Sequence, residues 1–452
     1  MYISRSDAHR AQKVRKRRKI RTLLTLNLVM LLIIAGLTAV YVFKFQGDPL
    51  EAEAGHDRSS TQVEDQIATE HTDDAVEPEP VNEAESVDTA SGSAESGDPS
   101  GGQVGDEGTG QAGGNPAMKP AEEVNSQVVM PDQDGLKISF VGDIQMSGKV
   151  AELIDKNGDD FPFHYVKSMF EQDDLTVANL ETPITTGGVP AEDKQFVFKS
   201  APGSASALGK AGVDMVTLAN NHVLDHGVTG LMDTMKHLDA AGIQHFGAGK
   251  DEEEAFKIAY VERKGKRIAL LGFSRVLPKS SWFAKGKNPG VADTYSSAKA
   301  REKIAEARKK ADFVIVTVHW GAERADKPNA VQKQLAREYV DAGADLIIGS
   351  HPHVLQGFEQ YKGKWIAYSL GNFVFTRSSN PMTWETAVLQ VTLNHDGSCA
   401  LQMFPFHANL GQAVPMDQTT GSKLLKRVSA LSHPLGAEVR QDGRIGTIGR
   451  TR

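Results

Sequence analysis

From Leu136 onward, short apolar runs alternate with longer amphipathic stretches. Ile138–Val141, Leu175–Ala178, Met215–Ala219, Ile268–Phe273, Phe313–Val318, Leu346–Ile348 and Trp365–Tyr368 are brief and rich in β-branched or aromatic residues. Such runs predict buried strands. Between them, Leu231, Met235 and Leu238 fall at i, i+4 and i+7, and Val331, Leu335 and Tyr339 at i, i+4 and i+8. Each set makes one apolar helix face. Strands alternating with helices predict an α/β domain. Ala387–Leu393 and Ala400–Phe406 flank His395-Asp396-Gly397 and predict an antiparallel pair. A short helix around Ser422–Leu431 and a polar tail complete the pattern.

Upstream the texture differs. Residues 23–43 form 21 consecutive uncharged positions, with Asn27 the only strongly polar interruption. That length spans a bilayer as a helix. The preceding RKRRKIR marks a cytoplasmic flank, which places the remainder outside. A cleaved signal peptide would instead have a shorter apolar core and small residues after it. Here Tyr41-Val42-Phe43 follows, so an uncleaved signal-anchor is expected.

Charge sharpens the division. Residues 1–22 carry nine Lys/Arg and one acid, whereas 48–134 carry 22 Asp/Glu against Arg58 and Lys119. The acidic stretch is rich in Gly, Ser and Pro and lacks apolar periodicity, so it cannot bury enough surface to offset its ordering entropy. It reads as a disordered tether with a reach of roughly 50 Å, or as an arm that meets a partner or crosses a cell wall. The expected organisation is a basic cytoplasmic segment (1–22), a transmembrane anchor (23–43), an acidic linker (44–134), a folded domain (135–410), and a C-terminal helix and tail (411–452). The single cysteine, Cys399, excludes an intrachain disulfide and a zinc site built on several cysteines. Without a clear basic run in the outer region, nucleic-acid binding is not expected.

Five strand runs end on residues able to bind metal. Ile138–Gly142 leads to Asp143, Leu175–Ala178 to Asn179-Leu180-Glu181, and Met215–Ala219 to Asn220-Asn221-His222. Phe313–Val318 leads to His319, and Leu346–Ser350 to His351-Pro352-His353. Ligands gather at the carboxyl ends of strands in open α/β sheets. Asp143, Glu181, Asn221, His319, His351 and His353 are therefore expected to converge on a metal. Each also has a plainer reading: Asp143 as a helix cap, Glu181 as a solvated acid, Asn221 as a turn brace, His319 as a core histidine, and His351 with His353 as two solvated histidines in a turn. The two histidines around Pro352 should share one side of an extended segment. The sulfur-free N/O donor set suits one or two divalent ions such as Mn²⁺, Zn²⁺ or Fe²⁺. Two ions could clamp an oxyanion and activate water. His222 is the candidate general acid, oriented by Asp225, with His226 next in line. Trp320, Phe373, Trp384 and Arg377 are candidates to line a cleft. Lys194 and Lys199 either meet carboxylates or lie on a solvated edge strand.

The stretches FVGDI (140–144), NLETPIT (179–185), TLANNHVLDHG (217–227), VHWG (318–321), GSHPHVLQG (349–357) and YSLGNFVF (368–375) resemble, in order and spacing, the CapA-like poly-γ-glutamate capsule synthesis family over roughly 135–410. The resemblance implies a four-layer α-β-β-α sandwich of metallophosphoesterase type. It maps Asp143 onto the first-strand acid, Asn221-His222 onto the Asn-His pair, His319 onto the isolated histidine, and His351 with His353 onto the closing pair. Glu181 is the candidate bridging acid. Asn179, Asn220 and Asn372 join Trp320, Arg377 and Lys199 as candidate substrate contacts. Gln145 stands where metallophosphoesterases usually carry a histidine, and Gly148-Lys149 where the family often has an arginine. The implied role is synthesis, export or processing of poly-γ-glutamate or a similar anionic polymer, beside other membrane subunits of a synthase. A non-catalytic accessory subunit and a general phosphoesterase are the alternatives.

Overall fold

A computed structural model describes residues 127–192 and 194–448. The basic segment, the 23–43 run and the acidic linker up to residue 126 lie outside the described residues. Among the described residues, no helix is long and apolar enough to cross a membrane.

Each short apolar run from Leu136 onward supplies a strand. Leu136–Ile144, Leu175–Leu180, Met215–Thr217 and Gln244–Phe246 lie side by side and parallel in an eleven-stranded sheet. Glu385–Leu393 pairs antiparallel with Leu136–Ile144, and Cys399–Ala408 pairs antiparallel with it in turn. Lys266–Ser274, Phe313–His319, Leu346–Ser350 and Lys364–Ala367 form the parallel centre of a six-stranded sheet. Antiparallel strands Ala259–Arg263 and Phe358–Tyr361 close its edges.

Side-chain alternation stacks these sheets face to face. Ile138, Phe140, Leu175 and Val177 share one apolar cluster with Ile268, Leu270, Phe313, Ile315, Leu346 and Ile348 of the other sheet. The opposite face of the larger sheet packs on helices Gly203–Lys210 and Gly227–Ala240 through Leu208, Leu231 and Leu238. The opposite face of the smaller sheet packs on Ser297–Arg308 and Ala330–Ala342 through Ile304, Leu335 and Tyr339. Two helix layers around two sheets make the α-β-β-α sandwich.

Three expectations change. Val331 does not join the buried helix face; it is 40% exposed. It stands at the second residue of its helix, beyond the sheet's cover. The domain does not begin at 135, because Gln127–Val128 pairs with Arg444–Thr447. Nor does it end at 410. Ala413–Pro415, Ala437–Val439 and Arg444–Thr447 all join the large sheet. Helix Gln418–Ser432 buries Leu424, Leu425 and Val428 in the inter-sheet core.

Candidate metal centre

Asp143 is placed by an irregularity in its strand. Ile138 and Phe140 face the second sheet, and the register with the neighbouring strand shifts between Phe140 and Asp143. Such a bulge re-aims the side chain that follows it. Gly142 permits the crossing, since a Cβ there would stand 1.9 Å from the Gly371 carbonyl oxygen. Asn179 and Asn372 then lie beside Asp143 in the two flanking strands.

The second sheet supplies the facing wall. His319 shares the parity of Phe313 and Ile315, so it points between the sheets. Its Nε2 lies 3.0 Å from Asn221 Oδ1 and 3.5 Å from Glu181 Oε1. Its Nδ1 meets Ser350 Oγ at 2.9 Å. The His319 and His351 ring centroids are 4.8 Å apart, and those of His351 and His353 5.8 Å. His353 Nδ1 lies 3.1 Å from Asp143 Oδ2, and its Nε2 3.9 Å from Glu181 Oε1. All six residues singled out as ligand candidates therefore meet in one place.

The two histidines converge by a different route from the one expected. His351 has φ 95° and His353 φ 57°, both left-handed, so the segment is not extended. Non-glycine residues rarely adopt this region, and such residues cluster at functional sites.

The ligating atoms of Glu181, His351 and His353 lie within 4.8 Å of one another, as do those of Asp143, Glu181 and His319. Glu181 belongs to both groups, the position of a bridging carboxylate. Glu181 Oε1 and His351 Nδ1 are buried without a hydrogen-bond partner among the described residues, and Asp143 Oδ2 has only the His353 imidazole beside it. Buried polar atoms are rarely left without a partner, and such donors suit a cation. Burial, reinforced by neighbouring imidazoles, holds His319 and His351 well below the usual histidine range. Both are neutral, as ligation requires. Burial and the nearby Asp143 push Glu181 well above the usual carboxylate range. Burial opposes charge on His353, but Glu181 and Asp143 outweigh it and raise its pKa to about 10. Two adjacent buried carboxylates thus demand a positive charge. Donors and charge both fit a divalent cation.

His222 sits beside this cluster. Its Nδ1 meets Asp225 Oδ2 at 2.7 Å, and the Phe198 ring stacks on it at 4.2 Å. Burial lowers the pKa of His222 and outweighs Asp225, which favours the protonated ring. The same Nδ1 lies 2.9 Å from Lys194 Nζ, so it sits between a carboxylate acceptor and an ammonium donor, and both partners hold the ring through this nitrogen. Lys194, in an irregular loop rather than an edge strand, pairs with Asp225 and donates to the Asn221 carbonyl at 2.6 Å. Of the two readings of Lys194, contact with a carboxylate holds, but sequence reasoning missed that the carboxylate is Asp225, which is distant in the chain. It also missed Ser350, whose only signal was adjacency to His351, and Glu323, whose charge reaches Glu181, Lys194 and His353.

Several candidate substrate contacts have other positions. Trp320 is fully buried in the outer-helix core, and its indole N–H donates to the Tyr368 carbonyl at 2.9 Å. Phe373 is buried on the opposite side of the large sheet. Asn220 spends its amide on Asn179 Oδ1 and the Leu180 carbonyl, while its Oδ1 accepts from the His222 and Val223 amides. It braces the turn that presents His222. Asn179 donates to Asp143 Oδ1 at 2.8 Å, and Asn372 meets His353 Nδ1 at 2.9 Å. Both orient candidate ligands. Lys199 is exposed. Arg377 lies over the Trp384 ring, 3.9 Å from its centroid. Gln145 is buried with its amide N–H₂ on Ser147 Oγ and its Oε1 unpartnered.

Residues 137–377 match the family described as bacterial capsule synthesis protein PGA_cap. The PGA biosynthesis protein CapA of Bacillus subtilis is 37% identical over 285 residues, which cover 63% of this chain and 74% of that protein. The capsule biosynthesis protein CapA of Bacillus anthracis is 33% identical, covering 63% and 70%. A probable polyglutamine synthesis accessory protein of Mycobacterium tuberculosis is 29% identical, covering 59% and 74%. The match spans every strand end that supplies the cluster, and the chain belongs to the bacterial capsule synthesis protein PGA_cap family.

Proposed function

We propose that this protein acts at the outer face of a membrane in the synthesis, export or processing of poly-γ-glutamate or a similar anionic polymer, through a divalent-metal site of metallophosphoesterase type. The carrying observation is the convergence of Asp143, Glu181, Asn221, His319, His351 and His353, with Glu181 Oε1 and His351 Nδ1 buried and unpartnered among the described residues. The relatives' names support the polymer class. The basic flank and uncharged 23–43 run support a single-pass anchor with its N-terminus inside, next to other membrane subunits of a polymer synthase.

Asp143, Glu181, Asn221, His319, His351 and His353 would hold one or two ions. A bound divalent cation supplies Lewis acidity and lowers the pKa of water. The protein's own groups set the geometry around it. Asn179 and Asn372 fix Asp143 and His353, and Ser350 anchors the His319 ring at Nδ1. Asp225 and Lys194 both hold His222 through Nδ1, which leaves Nε2 as the ring nitrogen to exchange a proton with a leaving oxygen.

A second reading, a non-catalytic accessory subunit, draws support from the accessory role in the name of the mycobacterial relative. Two substitutions separate the readings. His353→Ala should lower the metal content of the purified protein. His222→Ala should keep metal and fold while cutting polymer-directed activity by roughly 10²–10⁴, the usual worth of general acid–base assistance. A fully active His222→Ala protein would favour the accessory role.

A further inference from the structure

The loop that leaves the metal cluster carries a second constellation. Phe375 places its ring 5.0 Å from that of His353 and edge-on to Phe198. Two residues later, at most about 7 Å along an extended chain, Arg377 lays its guanidinium over Trp384. Arg377 has no ion-pair partner among the described residues, whereas Arg427 is taken by Glu385, the residue after Trp384. A cavity of about 280 Å³ opens here, lined by Arg377, Trp384, His407, Ala408, Asn409 and Val414. No carboxylate is among them. Guanidinium, imidazole and amide supply donors, while indole, Ala408 and Val414 supply apolar surface.

Both walls are braced. Trp384 Nε1 donates to the Ser378 carbonyl at 2.8 Å, which ties the Arg377 loop to its own indole. The Asn409 amide donates to the Gln412 carbonyl, and the Gly411 amide to the Phe375 carbonyl, each at 2.8 Å. Asn372 joins the two regions: its Oδ1 meets His353 while its Nδ2 donates to the Thr383 carbonyl at 3.2 Å. A stacked arginine keeps its N–H edge in plane and available, the geometry that suits bidentate recognition of carboxylate. The volume falls just short of the roughly 300–1,000 Å³ of small-molecule sites. It suits one pendant group and not a whole ligand.

We propose that this cavity is a subsite for a carboxylate on a short aliphatic stem, one repeat of an anionic chain whose neighbouring part lies at the metal cluster. It rests on the polymer reading above and adds where the chain's pendant acids are held. The subsite makes the protein selective for acid-bearing chains over neutral ones of the same backbone.

The test uses the full chain in detergent at fixed ionic strength. A synthetic γ-linked glutamate oligomer and its fully amidated counterpart are titrated calorimetrically into wild type and Arg377→Gln, with melting temperature and metal content measured in parallel. Arg377 is exposed, so the substitution should leave both unchanged. The expected result is a wild-type preference for the acid oligomer and about tenfold weaker acid binding in Arg377→Gln, the worth of one charge-assisted contact. Binding of the amidated oligomer should not change. Equal acid binding by wild type and Arg377→Gln overturns the subsite and leaves the polymer reading standing. Absence of acid-oligomer binding by wild type overturns both.

Discussion

Asp143 and Glu181 are buried carboxylates at the carboxyl ends of adjacent strands, and Glu181 keeps one oxygen without a hydrogen-bond partner among the described residues. Glu181 and Asp143 raise the pKa of His353, and burial with Asp143 raises that of Glu181, so both groups favour holding a proton. A cation that takes these residues as ligands displaces those protons. Apparent ion affinity should then fall as pH is lowered through the neutral range, read from titrations at several pH values. A flat profile would detach His353 from the site. Binding to the folded state alone also raises stability, by about 2.7 kcal/mol at an ion concentration one hundred times Kd. Wild type should therefore melt higher with added Mn²⁺ or Zn²⁺, and Glu181→Gln should not. Asp143, Glu181, Asn221, His319, His351 and His353 were all legible as candidates from the sequence, because each lies within a few residues of the end of an apolar run. The Asp225 partner of Lys194 and the places of Ser350 and Glu323 were not, because they depend on contacts between distant segments.

Helix Ala330–Ala342 shows how position along an element decides a residue's worth. Asn329 caps it, accepting from the Gln332 amide while the Gln332 side chain accepts from the Asn329 amide. Loss of such a cap costs about 1 kcal/mol. Leu335 is buried against the smaller sheet, and truncating it to alanine should cost roughly 2–5 kcal/mol. Val331 follows the same apolar spacing but is 40% exposed, and Val331→Ala should fall within about 0.5 kcal/mol of wild type. Urea denaturation of Asn329→Ala, Leu335→Ala and Val331→Ala tests the ranking; a Val331→Ala cost equal to that of Leu335→Ala would contradict the exposed first turn. The same limit applies to Trp320. Its place after His319 suggested a cleft, yet strand alternation turns it away from His319 into the helix-covered core.

The whole domain depends on its last forty residues. Strands Ala413–Pro415, Ala437–Val439 and Arg444–Thr447 extend the large sheet, and Gln418–Ser432 fills part of the inter-sheet core. A chain ending at Leu410 exposes Leu401, Met403 and their neighbours, and should be insoluble or fail to melt cooperatively. Soluble, cooperative folding of that truncation would restore a boundary at 410. Orientation is a separate prediction at this scale. Protease added to intact, wall-stripped cells should digest the 127–448 domain, and protection until lysis would reverse the proposed topology. The strands and helices carried by the clear apolar patterns, the α/β class, family membership and the candidate metal-ligand residue types were determined by the sequence alone, because hydrophobic period and strand-end chemistry are local properties. Tertiary structure decided which residues share the centre, how His351 and His353 turn toward it, which aromatics are buried, and where the domain closes. Those outcomes depend on which sheet faces which and which backbone atoms meet across it, and no local pattern carries that information.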